Sequence, residues 1–346
     1  MTEVSHALYR KYRPQKFNEV KNQEHIVSVL EGAIAKNMIP HALLFTGSRG
    51  TGKTTVARIF AHEIGAKDVD IYEIDAASNR GIDDIRALKE AVYTLPYESP
   101  YKVYIIDEVH MLTKEAFNAL LKTLEEPPEY VVFILATTER DKLLDTITSR
   151  CQIFDFHAPT REQLRKVVEQ VAKKEDCKMD SHVADVIALA ADGSYRDALG
   201  IIQKVIMSSG DKELSEDEVA IIVGAPKSSL LNDLVVAFAQ KDSEQAFLVL
   251  DTVSNSHTDI KLFYKLFLER LRTVMLLRNV PSRAKDLLVN YSPEDARIIE
   301  NLAKQNETSL NSHLLKNALA SGEYIGKSFV PTLPLELLVI EHCIQV

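Results

Sequence analysis

The residues with the clearest chemistry form one glycine-rich run between an apolar stretch and a stretch with helical spacing. The run is Gly47-Ser48-Arg49-Gly50-Thr51-Gly52-Lys53-Thr54, and Thr55 follows it. It fits GxxxxGK followed by Ser or Thr, a spacing in which backbone N–H groups and a helix N-terminus face phosphate oxygens. We expect Lys53 to hold the β- and γ-phosphates of a nucleotide and Thr54 to reach Mg²⁺. The alternative is a glycine-rich surface turn, which the flanking strand and helix disfavour.

Polar side chains also follow two other apolar runs. Asp107 and Glu108 come directly after the first run, and Thr137 and Thr138 end the second. Ligands of open α/β sheets bind beyond the carboxyl ends of the strands. We therefore expect Asp107 to support Mg²⁺, Glu108 to polarise an attacking water, and Thr138 to hydrogen-bond that water or the γ-phosphate. The alternatives are a helix N-cap for the two carboxylates and an ordinary β-branched strand end for the two threonines.

Two arginines occur in settings that suit an anion. Arg150 lies in a Ser-Arg-Cys run, and its guanidinium fork matches a phosphate in two-point geometry. A surface ion pair is the alternative, and the sequence does not separate the two. Arg196 follows the candidate cap Ser194 in the first turn of a predicted helix. A cation is unfavourable there because of the helix dipole, which indicates an anionic ligand. An exposed pair with Asp197 is the alternative.

Aromatic and basic residues alternate near the start of the chain, in the run Tyr9-Arg10-Lys11-Tyr12-Arg13-Pro14. This cluster either folds over a nucleotide base or stands on the surface, and the residues alone leave both interpretations open. Tyr12 and Arg13 are the candidates for nucleotide binding within it.

Strands ending at one edge of a sheet are needed to bring these groups together. Apolar runs predict strands at 42–46, 71–74, 102–106 and 131–136, the last two of a kind that is buried on both faces of a parallel sheet. Apolar residues with helical spacing occur at 54–64 and at 83–92, and each of these segments lies between two predicted strands. Strands that alternate with helices predict an α/β domain with right-handed crossovers over residues 1–158.

After Pro159 no further strand is predicted. A small helical domain is expected at 159–224, and the breaker at 224–226 separates it from an all-α domain at 225–346. The predicted helices after Pro159 are 160–174, 182–191, 195–208, 228–240, 243–254, 257–279, 281–289, 293–303, 308–327 and 333–344. Thr160 is the candidate N-cap of the first of these helices. The fold class is therefore α/β plus all-α.

Composition narrows the class of protein further. The 346 residues carry a net charge of −9, which argues against a surface coated in basic charge for nucleic acid but leaves room for a local basic strip. The three cysteines, at 151, 177 and 343, form no CxxC pair, so neither a disulfide framework nor a zinc site is predicted. The chain has no apolar run of about 20 residues and no secretory signal at 1–13, which predicts a cytoplasmic protein without a membrane partner.

Taken in order, these motifs resemble the AAA+ clamp-loader ATPases, and within them the gamma/tau subunits of bacterial DNA polymerase III. Further matching stretches are Gln23-Glu24-His25, Ile74-Asp75-Ala76-Ala77-Ser78, Val109-His110-Met111-Leu112, and the run from Phe117 to Pro128. The specific match covers about residues 7–200. The rest matches in length and helical character.

The resemblance implies roles for the candidate residues. It implies an AAA+ P-loop domain, a helical lid at 159–224 and a C-terminal collar that joins subunits into a pentameric ring. Thr138 would be sensor 1, Arg196 would be sensor 2 and read the γ-phosphate, and Arg150 would be a finger that reaches the ATP of a neighbouring subunit. The implied cofactors are ATP and Mg²⁺. The implied partners are the other clamp-loader subunits, the sliding clamp and primer–template DNA.

Two departures from the family pattern matter. Family members usually carry a four-cysteine zinc module, whereas 64–75 is short and lacks cysteine, so no zinc is predicted. The chain ends at Val346, which predicts either a gamma-like form without the long tau tail or a piece cut from a longer chain. Arg80 is a candidate DNA contact. Two alternative functions remain: a non-catalytic clamp-loader scaffold, and another AAA+ ATPase that remodels DNA.

Overall fold

The computed structural model describes residues 7–79, 81–256, 258–288, 291–305 and 309–344. The chain separates into two compact units, which are described one after the other. The first unit contains Met1–Asp176 and Ala191–Gln203, and the second contains Cys177–Ala190 and Lys204–Val346. Residues of the predicted lid are thus divided between the two units. The division into three domains stays a prediction.

A parallel five-stranded sheet forms the centre of the first unit. Its strands are β1 (Ala42–Thr46), β2 (Ile71–Asp75), β3 (Lys102–Asp107), β4 (Val131–Thr137) and β5 (Gln152–Asp155). They lie in the order β2-β3-β4-β1-β5, and each neighbouring pair is parallel. The prediction of a parallel α/β sheet is confirmed. Strand β5 is absent from the sequence-based prediction, because it has only four residues and only Phe154 among them is buried.

The helices that the sequence predicts lie close to their predicted ranges, apart from 308–327, which is shorter at Ser312–Gly322. Those at Leu8–Lys11, Glu24–Ala35, Lys114–Glu125, Asp145–Thr148 and Glu216–Val223 are absent from the prediction. The helices of both units follow in chain order. They are α1 (Leu8–Lys11), α2 (Glu24–Ala35), α3 (Lys53–Glu63), α4 (Ile82–Val92), α5 (Lys114–Glu125), α6 (Asp145–Thr148), α7 (Arg161–Lys174), α8 (Ser181–Ala190), α9 (Tyr195–Ser208), α10 (Glu216–Val223), α11 (Ser228–Gln240), α12 (Ser243–Ser254), α13 (Ile260–Asn279), α14 (Ala284–Leu288), α15 (Pro293–Lys304), α16 (Ser312–Gly322) and α17 (Leu333–Cys343).

Local capping explains where two of the helices begin. Thr160 accepts a hydrogen bond from the backbone N–H of Gln163, and the Gln163 side chain accepts one from the Thr160 N–H, so α7 begins with a capping box. Ser194 accepts a bond from the Asp197 N–H at the start of α9. The residue types predict both caps, and both fix a helix that belongs wholly or largely to the first unit.

The sheet is buried on both faces. Leu43 and Phe45 of β1 pack with Val56 and Phe60 of α3 on one face. Leu44, which points the opposite way because side chains alternate along a strand, packs in a separate cluster on the other face. This arrangement makes β1 rigid, so that the chain leaves it toward α3 at a fixed position.

The second unit is mainly helical, with one difference from the prediction. Lys178–Met179 (β6) and Glu213–Leu214 (β7) form a short parallel pair, so the expectation that no strand follows Pro159 is wrong. Two residues per strand are too few for a visible period in the sequence. Within the described residues, no helix is both long and apolar enough to cross a membrane.

Candidate nucleotide-binding site

The glycine-rich run forms a tight loop between β1 and α3. Gly50 and Gly52 have φ values of 76° and 103°, in the region that favours glycine. A Cβ on Gly50 would lie 2.0 Å from Ser194 Oγ, whereas a Cβ on Gly52 would have no atom within 4 Å. The loop is therefore closely packed at Gly50 and open at Gly52, where α3 begins. An open concave backbone at a helix N-terminus suits an anion.

The Lys53 ammonium lies within this loop. Its side chain is buried, and Nζ donates hydrogen bonds to the carbonyls of Gly47 and Ser48 at 2.7 and 2.9 Å. Burial lowers the pKa of Lys53, while the charges of Asp107 and Glu108 oppose that shift. The loop thus holds a desolvated positive charge in place.

Other side chains stabilise the loop and its helix. Thr51 Oγ1 donates to the Ser48 carbonyl at 2.9 Å, and Thr55 Oγ1 accepts from Arg13 Nε at 3.0 Å. Ser48 and Arg49 are exposed. The structure therefore brings Arg13 to the first turn of α3, as expected of a residue of the site.

Thr54 and Asp107 form the oxygen pair that the sequence predicts for Mg²⁺. Thr54 Oγ1 donates to Asp107 Oδ2 at 3.0 Å, and Asp107 Oδ1 accepts from the Glu108 N–H at 3.1 Å. A hydroxyl and a carboxylate are the hard oxygen donors that Mg²⁺ prefers. These two residues therefore fit the ion.

Glu108 and Thr138 are also brought together, because β3 and β4 are neighbours in the sheet. Glu108 Oε2 accepts hydrogen bonds from Thr138 N and Oγ1 at 3.2 and 2.9 Å. Glu108 has φ 49° and ψ 44°, a left-handed conformation that costs about 1–3 kcal/mol for a residue other than glycine. Its side chain makes no cap hydrogen bond to the short helical turn that follows, which disfavours the helix-cap interpretation.

His110 is a member of the site that the sequence analysis does not single out. Its side chain is 5% exposed, and Nδ1 lies 2.8 Å from Thr137 Oγ1 and 3.4 Å from Glu108 Oε2. Its Nε2 lies 3.4 Å from Glu139 Oε1. The histidine therefore lies between the carboxyl ends of β3 and β4. Its position three residues after Asp107 is the available signal, but only the turn at 109–111 brings it back to the strand ends.

The start of α9 is attached to the glycine-rich loop. The Tyr195 N–H donates to the Gly50 carbonyl at 3.0 Å, next to the close contact between Gly50 and Ser194. Arg196 follows in the first turn of α9. Burial lowers the pKa of Arg13, and the charges of Arg58 and Arg196 lower it further, whereas those of Glu73 and Asp107 oppose the shift.

The remaining candidates have partners away from the loop. Tyr12 donates its hydroxyl proton to Glu175 Oε1. Arg150 Nη2 pairs with Glu125, and its Nη1 donates to the Thr146 carbonyl at 2.6 Å. The ion pair expected under the alternative interpretation of Arg150 is therefore present in the single chain. Arg80, the candidate DNA contact, lies outside the described residues.

Comparison with known proteins places this site in a family. The family model described as "DNA polymerase III, delta subunit" matches residues 63–160. The gamma subunit of DNA polymerase III from Buchnera aphidicola is 37% identical over 272 residues, which cover 72% of this chain and 74% of that protein. The chain belongs to the DNA polymerase III gamma/tau family. The predicted resemblance is confirmed.

Longer relatives of this gamma/tau family show how much of them the chain spans. The gamma/tau subunit of Mycobacterium tuberculosis is 34% identical, and the match covers 96% of this chain but 61% of that protein. The tau subunit of Bacillus subtilis is 39% identical, with 80% of this chain and 52% of that protein covered. The chain thus spans between half and two thirds of these two relatives.

Solved structures show the fold. The RuvB Holliday junction branch migration motor of Thermotoga maritima matches with a TM-score of 0.51 and 21% identity, over 66% of this chain and 79% of that protein. A mutant form of the same RuvB matches with a TM-score of 0.52 and 22% identity, over the same shares of the two chains. The predicted fold class, α/β with a parallel sheet plus a helix-rich C-terminal region, is confirmed.

The contact between Gly50 and Ser194 yields a prediction about stability. Gly50→Ala should lower the free energy of unfolding of the first unit by about 1–3 kcal/mol, because the new Cβ meets Ser194 and the backbone is left-handed. Gly200→Ala is the control. Gly200 lies within α9 with no atom near its Cβ position, so alanine should stabilise by about 0.5–1 kcal/mol. Urea unfolding measures both, and equal stability of the two variants would contradict the described packing.

Proposed function

We propose that this chain is the ATP-hydrolysing subunit of a replicative clamp loader. It acts in the cytoplasm and uses ATP binding and hydrolysis to open a sliding clamp and load it onto primer–template DNA. One observation carries the proposal: the Lys53 ammonium, the Thr54–Asp107 pair and the Glu108–Thr138 pair converge at the carboxyl end of one parallel sheet. Membership of the gamma/tau family supports it.

Binding of the triphosphate follows from the glycine-rich loop. The loop, the N-terminus of α3 and Lys53 supply N–H groups and positive charge to phosphate oxygens. The Lys53 ammonium would leave the Gly47 and Ser48 carbonyls and donate to the phosphates. Thr54 and Asp107 would hold Mg²⁺, which when bound neutralises charge on the phosphate oxygens.

Hydrolysis needs a water that is oriented toward the γ-phosphate. Glu108 supplies the carboxylate that accepts a hydrogen bond from this water and polarises it. The hydrogen bonds from Thr138 restrict that carboxylate, and Thr138 Oγ1 is itself placed to contact the water or the γ-phosphate. Arg196, in the first turn of α9, would detect the γ-phosphate from the lid. The intact P-loop and Glu108 disfavour the alternative of a non-catalytic scaffold.

The second half of the active site would come from a neighbouring subunit. Arg150 is partly exposed and pairs with Glu125 in its own chain. In a ring, its guanidinium would leave that surface pair and stabilise the charge on the phosphates bound by the next subunit. A finger of this kind contributes about 10³–10⁵ in rate.

Assembly into a pentameric ring is supported by an exposed apolar surface of α17. Leu333, Leu337 and Ile340 lie on one face of this helix and are exposed, and Phe329 before it is also exposed. Apolar side chains at this spacing form a continuous stripe along a helix. We propose that another subunit of the clamp loader covers this stripe, as the family resemblance implies for a collar.

Lys53→Ala tests the nucleotide claim. The substitution removes the ammonium from the loop, so ATP hydrolysis in the presence of clamp and primed DNA should fall by about 100-fold or more. Lys67→Ala is the control, because Lys67 is an exposed lysine paired with Glu98. Steady-state phosphate release measures both variants. A Lys53→Ala rate equal to wild type would refute the proposal, whereas hydrolysis that clamp and primed DNA do not stimulate would favour another DNA-remodelling ATPase.

Arg150→Ala tests the role in trans. The fully substituted complex should lose about 10³-fold or more in hydrolysis while each subunit still binds ATP. A complex assembled from a mixture of Arg150→Ala and Lys53→Ala subunits should recover part of the activity, because each supplies what the other lacks. Arg140→Ala, at an exposed arginine paired with Asp155, should have little effect. Full activity of the uniformly substituted Arg150→Ala complex would contradict the assignment.

A further inference from the structure

The aromatic and basic cluster near the start of the chain makes contacts that the proposed function does not yet use. The backbone N–H of Leu8 donates to Gln203 Oε1 at 3.0 Å, and the ring centroid of Tyr9 lies 5.5 Å from Arg196 Cζ. Arg196 and Gln203 are seven residues apart on α9, about two helical turns, so they lie on one face of it. Residues 8 and 9 therefore lie along the face of α9 that carries Arg196.

The same segment is attached at its other end to α3 and to the residue that follows α7. The Lys11 ammonium donates to Glu175 Oε1 at 2.7 Å, and the Tyr12 hydroxyl donates to the same oxygen. Arg13 Nε donates to Thr55 Oγ1 at 3.0 Å, in the first turn of α3. Residues 8–13, which we call the N-terminal strap, thus connect the first turns of α3 and α9 through side chains.

The Tyr9 ring lies against the guanidinium of Arg196. The positive charge of Arg196 lowers the pKa of Arg13, so the two guanidinium groups repel each other. The face of an aromatic ring attracts a guanidinium through its quadrupole within about 6 Å of the centroid. The Tyr9 ring meets this criterion for Arg196, and also for Arg10, whose Cζ lies 5.7 Å from the centroid. The Tyr9 ring therefore offsets part of the repulsion between the guanidinium groups of Arg196 and Arg13, and it restricts the Arg196 side chain.

We propose that Tyr9 is a positioning residue that holds the Arg196 guanidinium ready for the γ-phosphate, so that the N-terminal strap makes the site prefer ATP to ADP. The inference rests on the proposed function, because it takes from it the contact between Arg196 and the γ-phosphate. It assigns Tyr9 neither to base stacking nor to a free surface. ADP lacks the γ-phosphate, so loss of the ring should weaken ATP binding selectively.

A comparison of Tyr9→Leu with Tyr9→Phe distinguishes an effect of the aromatic ring from an effect of side-chain size. The dissociation constants of ADP and of a non-hydrolysable ATP analogue with Mg²⁺ are measured for the full chain. For Tyr9→Leu we expect analogue affinity to fall about 3- to 30-fold while ADP affinity changes less than about twofold. Tyr9→Phe keeps the aromatic face and should restore the wild-type ratio of the two constants. Tyr97→Leu, at an exposed tyrosine of the same unit, is the control.

A double-variant cycle with Arg196→Ala decides whether Tyr9 acts through Arg196. In the Arg196→Ala background, Tyr9→Leu should cause no further loss of analogue affinity. The inference is overturned if Tyr9→Leu leaves the ATP-to-ADP ratio unchanged, if it weakens both nucleotides alike, or if its effect is the same in both backgrounds. If the wild-type chain binds neither nucleotide, the proposed function itself is wrong.

Discussion

Partly desolvated positive charge around the loop at 47–54 determines what the other residues of the site must do. Lys53 and Arg13 are both partly desolvated, and burial lowers the pKa of each. Loop carbonyls hold the Lys53 ammonium, and Thr55 holds Arg13. These hydrogen-bond acceptors are neutral, and the carboxylates of Asp107 and Glu108 oppose the effect of burial on Lys53 without ending it. A bound triphosphate would bring further negative charge to these partly desolvated cations, so the loop suits an anion.

The sheet performs the second task, which is to place acidic and hydroxyl groups opposite that charge. Parallel pairing of β3 and β4 puts Glu108 next to Thr138. The turn after β3 brings His110 Nδ1 within hydrogen-bond distance of Thr137 Oγ1. Each of these side chains comes from the carboxyl end of a strand whose other residues are buried. The rigid strands thus fix the distances between these side chains, and a few residues just beyond the strand ends carry the chemistry.

The sequence is sufficient for the parts of the fold that have strong local signals. Near-continuous apolar runs predict β3 and β4, and residue types predict the caps Thr160 and Ser194. It is insufficient where the determinant is a long-range contact. The bond from Leu8 to Gln203 joins residues 195 positions apart, so no local pattern indicates it. Strand β5 and the role of His110 escape prediction because a four-residue edge strand and a single histidine carry little periodic information.

A crystal structure of the chain with a non-hydrolysable ATP analogue and Mg²⁺ would show whether the loop binds a triphosphate. We expect the analogue's phosphates to occupy the loop at 47–54, with Lys53 Nζ moved from the Gly47 and Ser48 carbonyls to the β- and γ-phosphates. Mg²⁺ should lie beside Thr54 and Asp107. An analogue bound elsewhere, with the Lys53 ammonium still on the two carbonyls at saturating concentration, would contradict this expectation.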